Sequence, residues 1–469
     1  MQKLISILLI FILSSCLPQN QTSRFYGFWE GPHPEDSRRK FYIQIENKND
    51  TLTTKGYWTE NSFYQAQFEV ENLSMIDDSL SFKIPGWKCT YRGHLLKNDL
   101  INGGFRCEGE PFDSVFLVKN EKIMDYLIFP KPGCKKPDFQ YKYTVPLDLN
   151  DQIETSSFYS TNDSVYIFSL VNEIINGAYG RLNSFLLYKN NHLICEEYFY
   201  GYSKQDLHQI ESSTKSLTSL LIGIAKDKNL ITNLNEHLFE IFPEYPHLKT
   251  LKYKDIKVNH LLSMTSGFDP QNDLLFQSDN RIDFSLKRKM IDKPGATFRY
   301  DGGNTEILGA ILHKKTGMFA DEFAKKYLFD PLHIGRYNWE IVKQNGFPST
   351  SGSLHLLPRD MLKIGVMVLN NGSFNQRQIV SDQWIRESTA VKTKTHIPDD
   401  DYSYQWWNLK LESNGKTYKT IWANGWGSQF IYIFPEINAV MVTTGHNYEF
   451  DSWAITDGIR KYLYLLNSK

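Results

Sequence analysis

The sequence predicts an α+β fold, in which an antiparallel sheet with flanking helices and a helical insertion follows a small all-β domain. Residues 24–121 alternate short β-type runs with turns about every 8–12 residues, which is typical of a small antiparallel sandwich or barrel. Two predicted hairpins, near residues 184–198 and 430–444, lie on either side of mainly helical sequence. We therefore expect strands from both ends of this larger region to meet in one sheet.

The small β domain begins with a predicted strand at Tyr26–Gly31. Its later strands are predicted from β-type runs at 41–45, 51–57, 79–84, 103–107 and 114–118. No nucleophile in this domain has a recognisable partner base, which favours an accessory or binding role over catalysis. A less regular, proline-containing stretch follows, and we interpret residues 122–165 as a linker to a domain at 166–469.

Turn residues separate the two strands of each hairpin in the larger domain. Lys189–His192 lies between the strands of the first hairpin, and Pro435–Asn438 lies between those of the second. A helix is predicted to begin at Ser212, with mainly helical and loop sequence continuing to about residue 385. A last amphipathic helix is predicted over about residues 452–466.

The first residues of the chain resemble an export signal. Lys3 precedes an apolar run at Leu4–Leu13, which is too short for a membrane-spanning helix of about 20 residues. The sequence Leu13–Cys16 is similar to the bacterial lipobox, in which the cysteine is acylated and becomes the first residue of the mature protein.

These features predict a lipoprotein signal peptide at residues 1–15, a lipid anchor at Cys16 and a polar tether over 16–23. The protein would then be exported and attached to a lipid bilayer of the bacterial cell envelope. A plain secretory signal that is cleaved near Ser15 is the alternative.

The charge balance argues against one class of partner. The 469-residue chain has 52 Lys and Arg against 53 Asp and Glu, which gives a formal net charge of −1 at pH 7. Nucleic-acid binding needs a basic surplus or a basic stripe, so we expect no nucleic-acid partner.

Cys89 and Cys107 both lie in the β domain. They can form a disulfide in an oxidising compartment or remain as buried free thiols, and the sequence leaves both alternatives open.

The most informative motif is Ser212–Lys215, which reads Ser-Ser-Thr-Lys at the start of a predicted helix. Apolar residues follow it at the spacing of a helix stripe, namely Leu217, Leu220, Leu221, Ile224 and Ala225. Residues 212 and 215 are i, i+3 neighbours on the face roughly opposite that stripe, so the lysine amine can reach the serine hydroxyl. Serine becomes a good nucleophile when a base takes its proton, and a partly desolvated lysine is one such base. Taken alone, this spacing also occurs on ordinary surface helices.

Two glycine-rich motifs are candidate parts of the same site. Tyr300 lies in Phe298–Asn304, just before a predicted helix, where its hydroxyl can face a cleft. Ala423–Gln429 precedes a predicted strand, and its glycines permit close approach of a substrate, so a backbone N–H there can form half of an oxyanion hole. Taken singly, these motifs also fit a core tyrosine and an ordinary turn.

In this order, the three motifs resemble the serine β-lactamase and penicillin-binding-protein superfamily, specifically its class C, esterase-like branch. Ser212–Lys215 is similar to the S-x-x-K element, Tyr300 is similar to the Tyr of Y-x-N, and Ala423–Gly425 takes the place of K-T-G. Gly309 follows Tyr300 by nine residues, as in the family pattern. Two further stretches resemble family sequence, His260–Gly267 and Pro358–Gly365. Ser212–Ser216 and Tyr404–Trp407 are most similar to the 6-aminohexanoate-dimer hydrolase-like branch.

The resemblance implies a β-lactamase/transpeptidase-like fold and a serine hydrolase that cleaves a small ester or amide through an acyl-enzyme. Ser212 would attack the carbonyl, while Lys215 and Tyr300 would transfer protons, with the choice of base between them left open. The resemblance also implies that the backbone N–H groups of Ser212 and Trp426 form the oxyanion hole. No metal or other cofactor is expected, and the scattered histidines show no metal-ligand spacing.

Two positions depart from the family pattern. Gly302 replaces the Asn of Y-x-N, and Ala423 replaces the Lys of K-T-G. Because those polar groups help to hold the substrate in antibiotic-directed members, their absence argues against a β-lactamase or a true D,D-peptidase. A D-amino-acid or cell-wall peptidase is one alternative function, and a catalytically silent envelope binding protein is another.

Overall fold

The structure, a computed structural model, describes residues 22–32, 39–48, 51–60, 63–108, 113–120, 129–134, 138–342 and 346–467. The predicted signal peptide, the predicted lipid anchor Cys16 and most of the predicted tether lie outside the described residues. The chain divides into two compact units between residues 128 and 129. No helix in the described part of the chain is long and apolar enough to cross a bilayer.

The N-terminal unit is built on one antiparallel sheet of nine strands, in the order β4-β3-β2-β1-β9-β8-β7-β6-β5. The strands are β1 (Gly27–Pro32), β2 (Arg39–Lys48), β3 (Thr51–Glu60), β4 (Phe63–Phe68), β5 (Glu71–Ile76), β6 (Ser79–Ile84), β7 (Cys89–Lys97), β8 (Leu100–Cys107) and β9 (Asp113–Lys119). The first and last strands pair with each other, with Trp29 opposite Lys119. The unit therefore has one continuous sheet, instead of the two sheets of a sandwich.

The core of this unit lies against one face of its strands. Phe41, Ile43 and Ile45, which alternate along β2, are fully buried in it, as expected when one face of a strand packs inward. Cys89 and Cys107 lie opposite each other on β7 and β8 and are joined by a disulfide. The alternative of two buried free thiols is therefore excluded for this pair.

A seven-stranded antiparallel sheet organises the larger unit, in the order β11-β10-β21-β20-β19-β18-β17. The strands of the unit are β10 (Leu182–Lys189), β11 (His192–Tyr198), β12 (His208–Gln209), β13 (Asn338–Trp339), β14 (Leu354–Leu356), β15 (Ser373–Phe374), β16 (Arg377–Gln378), β17 (Asp400–Tyr402), β18 (Trp407–Ser413), β19 (Lys416–Gly425), β20 (Gln429–Phe434) and β21 (Ala439–Gly445). Both predicted hairpins form, as β10–β11 and β20–β21. Leu186 pairs with Val442, so β10 and β21 join the two ends of the region, as predicted.

Helices pack on both faces of this sheet. The helices of the unit are α1 (Thr161–Ile175), α2 (Thr214–Asp227), α3 (Leu238–Ile241), α4 (Val258–Leu262), α5 (Asn272–Gln277), α6 (Arg281–Lys287), α7 (Gly302–Thr316), α8 (Ala320–Ala324), α9 (Pro358–Leu369), α10 (Asp382–Thr389) and α11 (Ala454–Tyr462). Leu186 packs in one core with α2, α7 and α9, whereas its neighbours Phe185 and Leu187 pack in a second core with α1 and α11. This arrangement is the predicted α+β fold, with a helical insertion between the two hairpins.

The larger unit begins at Phe129, so most of the predicted 122–165 linker belongs to it. Tyr141, within that stretch, is buried, and its hydroxyl donates a hydrogen bond to Glu197 on β11 at 2.7 Å. Helix α1 begins at Thr161, before the predicted domain start, because the hydroxyl of Ser160 caps its first turn. Prolines in this stretch marked irregular backbone, but the backbone is packed against the sheet and is not a free connection.

Candidate active site

Ser212 and Lys215 lie next to each other at the start of helix α2. A 3-10 turn at Glu211–Ser213 leads into the helix, so the two side chains are one turn apart. The Nζ of Lys215 donates to the Oγ of Ser212 at 2.9 Å and to the carbonyl oxygen of Ser351 at 2.6 Å. Lys215 is only 2% exposed, whereas Ser212 lines an open cavity. The expected reach of the lysine amine to the serine hydroxyl is therefore present.

The carbonyl group that contacts the lysine belongs to Ser349–Ser351, a segment that sequence reasoning missed. Glu306 on α7 is buried, and its carboxylate accepts hydrogen bonds from the hydroxyls of Ser349 at 3.0 Å and Ser351 at 2.5 Å. The same carboxylate oxygen also accepts the backbone N–H of Ser351 at 3.3 Å. These hydrogen bonds to one buried carboxyl group fix the segment against α7.

The middle of that segment is held by both α2 and α7. The hydroxyl of Thr350 donates to the carbonyl of Thr305 at 2.8 Å, and the hydroxyl of Thr218 donates to the carbonyl of Thr350 at 2.9 Å. A Cβ at Gly309 would lie 2.7 Å from the Thr350 side chain, so only glycine permits this close approach. The glycine that follows Tyr300 by nine residues therefore has a packing role next to the site.

Tyr300 faces the same cavity as Ser212. The Nζ of Lys215 lies 5.1 Å from the centroid of the Tyr300 ring, and the ring packs against Trp407 at a centroid distance of 5.4 Å. Asn272 on α5 holds the backbone, since its amide group donates to the carbonyl of Tyr300 at 3.4 Å. Lys215 thus contacts both Ser212 and Tyr300, and the latter two line the cavity.

A buried ion pair fixes the backbone directly after Tyr300. The guanidinium of Arg288 donates to the Oδ1 of Asp301 at 2.5 Å, and both side chains are almost completely buried. The same oxygen accepts the backbone N–H of Gly303 at 2.9 Å, so Asp301 also caps helix α7. The start of α7 and the tyrosine before it are held by one carboxylate.

The turn after β19 meets the start of α2. A Cβ at Gly425 would lie 2.3 Å from the carbonyl oxygen of Ile210, so a glycine is required for this approach. The hydroxyl of Ser213 donates to a carbonyl of β20 at 2.7 Å and joins the two segments. Trp426 is 59% exposed and lines the cavity together with Ser212. Because the first N–H groups of a helix have no partner within it, the amide of Ser212 is available to a ligand.

Glu211, the residue before the serine, has a left-handed backbone with φ 49°, a conformation that costs free energy in a residue with a side chain. The hydroxyl of Tyr448 donates to its carboxylate at 3.3 Å, and the Tyr448 ring packs edge-on against Trp426 at 4.9 Å. Burial raises the pKa of Glu211 to about 7, with the Tyr448 hydrogen bond and Lys215 opposing the rise. Through Tyr448, the carboxyl group of Glu211 is therefore connected to Trp426 in the turn after β19.

Replacing Glu211 by glutamine should therefore change the pH dependence of stability. The carboxyl has an ordinary pKa of 4.5 in the unfolded chain and about 7 in the fold, so the stability of the wild type falls as pH rises through that range. Glutamine still accepts the Tyr448 hydrogen bond but does not ionise. We expect Glu211→Gln to be about 1–3 kcal/mol more stable than the wild type at pH 8 and equally stable at pH 4, measured by urea unfolding. The same difference at both pH values would contradict this assignment.

Gln405, within Tyr404–Trp407, connects three of the helices around the site. Its side-chain amide donates to the carbonyls of Leu261 and Leu262 at 3.1 and 3.0 Å, and its Oε1 accepts from the hydroxyl of Thr305 at 2.8 Å. Its backbone carbonyl accepts from the hydroxyl of Ser216 at 2.7 Å. The family-like stretches around residues 260 and 405 are therefore in direct contact, and both support the helix that bears Ser212.

The cavity beside Ser212 has a volume of about 660 Å³ and mostly apolar walls. Besides Tyr300, the Phe and Trp side chains that line it are Phe298, Trp407, Trp422, Trp426, Phe450 and Trp453. Neither Lys nor Arg is among the described residues that line it. The walls therefore suit an apolar or mixed small molecule better than an anionic one.

The two positions that depart from the family pattern present no polar group to the cavity. A Cβ at Gly302 would lie 3.0 Å from Leu275 and 3.2 Å from the Oδ1 of Asn272, so the space for a longer side chain is already filled. Ala423 is completely buried on β19 and packs in the hydrophobic core with α2.

Comparison with known proteins identifies the region that contains these residues. Residues 178–451 match the family model described as Beta-lactamase, which spans more than half of the chain. The 6-aminohexanoate-dimer hydrolase of Paenarthrobacter ureafaciens is 24% identical over 288 residues, which are 55% of this chain and 71% of that protein.

Solved structures show the same fold. A protein from Bacillus anthracis, provisionally described as a 6-aminohexanoate-dimer hydrolase, superposes with a TM-score of 0.57 at 20% identity, over 69% of this chain and 90% of that chain. EstCE1, a hydrolase with promiscuous acyltransferase activity, superposes with a TM-score of 0.53 at 14% identity, over 68% of this chain and the whole of that chain.

Proposed function

Since the chain belongs to the beta-lactamase family of serine hydrolases, we propose that it cleaves a small ester or amide through an acyl-enzyme on Ser212. The observation that carries the proposal is the 2.9 Å contact between the Nζ of Lys215 and the Oγ of Ser212, beside the open cavity. The serine is also at the N-terminal end of α2, where the helix dipole favours developing negative charge.

In the proposed reaction, the Oγ of Ser212 attacks the substrate carbonyl and transfers its proton to the Lys215 amine or the Tyr300 phenolate. Collapse of the tetrahedral intermediate breaks the bond to the alcohol or amine, which leaves with a proton from the same pair. Water then attacks the acyl-enzyme and gives up a proton to this pair. The pair returns that proton to the Oγ of Ser212 as the acid leaves, which restores the free serine. The contact of Lys215 with both Ser212 and the Tyr300 ring supports a shared role for the two groups.

The oxyanion of the intermediate needs two preorganised donors. We assign them to the backbone N–H groups of Ser212 and Trp426. The close approach of Gly425 to Ile210 supports this assignment, because it brings together the two segments that carry these amides. Neither donor is a side chain, so this part of the site depends on the backbone alone.

A fluorophosphonate probe tests the proposal without knowledge of the substrate. The probe should label the wild type once, and mass spectrometry should locate the label on the peptide that contains Ser212. Ser212→Ala should not be labelled, whereas Ser164→Ala, a matched change on α1, should be labelled like the wild type. An unlabelled wild type would exclude the proposed nucleophile and favour a silent binding protein. Labelling that persists in Ser212→Ala would also exclude Ser212 and would show that another residue is the nucleophile.

The bond that is cleaved is a separate question. The apolar walls of the cavity and the absence of polar groups at Gly302 and Ala423 favour a small ester or amide over a cell-wall peptide. Product analysis with short acyl esters and amides beside peptidoglycan fragments distinguishes the two functions. Release of amino acids from the peptidoglycan fragments, without hydrolysis of the esters and amides, would favour the peptidase.

The proposal also includes the cellular location of the reaction, at the bacterial cell envelope. The apolar run after Lys3 and the lipobox-like sequence that ends at Cys16 support export and attachment to an envelope bilayer by an acylated cysteine.

A further inference from the structure

The cavity beside Ser212 contains one buried acid among its aromatic walls. Asp400, the first residue of β17, lines the cavity and is only 4% exposed. Its Oδ1 accepts a hydrogen bond from the indole N–H of Trp422 at 3.1 Å, and the backbone N–H of Asn408 also donates to its carboxylate. Both donors are neutral, so they orient the carboxylate and leave its charge uncompensated.

No cation in the described part of the chain pairs with this acid. Lys394 and Lys410 both lie near its neighbour Asp401, at 2.6 and 4.0 Å from the Oδ2 of that residue. Because a buried carboxylate without a counter-charge is unfavourable, burial raises the pKa of Asp400 to about 7, and the like charge of Asp401 adds to this rise. A cation that enters the cavity would remove this penalty.

Of the other titratable groups that the structure describes in the cavity walls near Asp400, only His396 can carry a positive charge. Burial raises the pKa of the Tyr402 and Tyr432 phenols, so both are neutral at physiological pH. Asp451, at the same cavity, is another acid. His396 also lines the cavity and contacts Phe298.

The walls add a second attraction for a cation. Four tryptophans line the cavity, and indole faces attract ammonium groups more strongly than other aromatic rings do. A buried carboxylate beside aromatic faces is the combination that binds an ammonium group while it excludes water. We infer that the cavity takes a substrate that carries an ammonium group, which is held by Asp400 and the indole walls while Ser212 attacks the carbonyl of the same molecule. The inference rests on the proposed function only in treating this cavity as the substrate site.

Binding of a simple ammonium probe tests the inference. Hexylammonium and its neutral analogue 1-hexanol would be titrated against the full chain, with the change in tryptophan fluorescence as the signal. At pH 8 hexylammonium should bind at least tenfold more tightly than hexanol. At pH 6 its dissociation constant should be about tenfold larger than at pH 8, because Asp400 must first lose its proton. Hexanol binding should be the same at both pH values.

Two acid-to-amide variants assign the effect to one residue. Asp400→Asn keeps an acceptor for the Trp422 N–H, and it should lose the preference for hexylammonium together with its pH dependence. Asp401→Asn, the matched change at an acid outside the cavity, should keep the preference. A wild type that binds hexanol as tightly as hexylammonium at pH 8 would overturn the inference. A preference or pH dependence that persists in Asp400→Asn would also overturn it, and would then point to His396 or Asp451.

The proposed nucleophile can be separated from this result. Ser212→Ala should bind hexylammonium like the wild type, because the ammonium subsite does not include the serine. Hexylammonium binding without fluorophosphonate labelling would therefore refute the proposed function and leave the subsite standing, whereas labelling without a preference for ammonium would refute the subsite alone.

Discussion

Lys215→Ala should lower kcat/KM for any ester that the protein hydrolyses by about 10³-fold, a typical loss when a group that transfers protons in the transition state is removed. The Nζ of Lys215 is in contact with the Oγ of Ser212, and the described structure provides no other basic side chain at hydrogen-bond distance from that hydroxyl. The alanine also leaves the carbonyl of Ser351 without its buried donor, so some of the loss will come from a less fixed site.

Lys215→Arg distinguishes proton transfer from simple electrostatics. Arginine keeps the positive charge but does not give up its proton under the conditions of the assay, so we expect it to be nearly as inactive as alanine. Single-turnover acylation by a fluorophosphonate or a chromogenic ester is the measurement. An alanine variant that acylates within tenfold of the wild-type rate would contradict the mechanism, and an active arginine variant would show that only the charge of Lys215 is needed.

Arg288→Met should cost about 3–5 kcal/mol of unfolding free energy, because it leaves Asp301 as a buried charge without a counter-ion. The cost arises from desolvation, and it should therefore disappear when the charge is removed as well. Arg288→Met combined with Asp301→Asn should recover most of the loss, since asparagine still caps α7 by accepting the N–H of Gly303.

Urea unfolding of the wild type, both single variants and the double variant measures this coupling. The labelling rate of Ser212 should fall in Arg288→Met even under conditions where the variant is folded, because Tyr300 directly precedes Asp301 and loses its fixed backbone. An Arg288→Met variant that loses less than about 1 kcal/mol would show that the ion pair is not a stabilising constraint. A double variant no more stable than Arg288→Met would show that the loss does not come from the unpaired charge of Asp301.

Local patterns in the sequence predicted much of this fold. Alternation and turn residues indicated the hairpins that became β10–β11 and β20–β21, and the helix stripe after Ser212 indicated α2. The contact between Ser212 and Lys215 could be predicted for the same reason, since i, i+3 spacing on a helix is a local property.

The parts of the site that were missed depend on contacts between distant segments. Glu306 meets Ser351 across 45 residues of sequence, and no local pattern distinguishes this buried glutamate from one on a helix surface. Asp400 likewise reads as an ordinary turn acid beside Asp401, and only the packing of Trp422 and the cavity walls shows that it is desolvated. The linker was assigned too long because prolines mark irregular backbone, which packed and free segments share.

The pairing of β1 with β9 has a consequence for how the N-terminal unit can be handled. These strands are antiparallel neighbours, so the start of β1 lies beside the end of β9, and the other seven strands come between them in the sequence. Because these two strand ends are adjacent, we expect that the unit can be deleted and replaced by a short linker, or inserted into a loop of another protein.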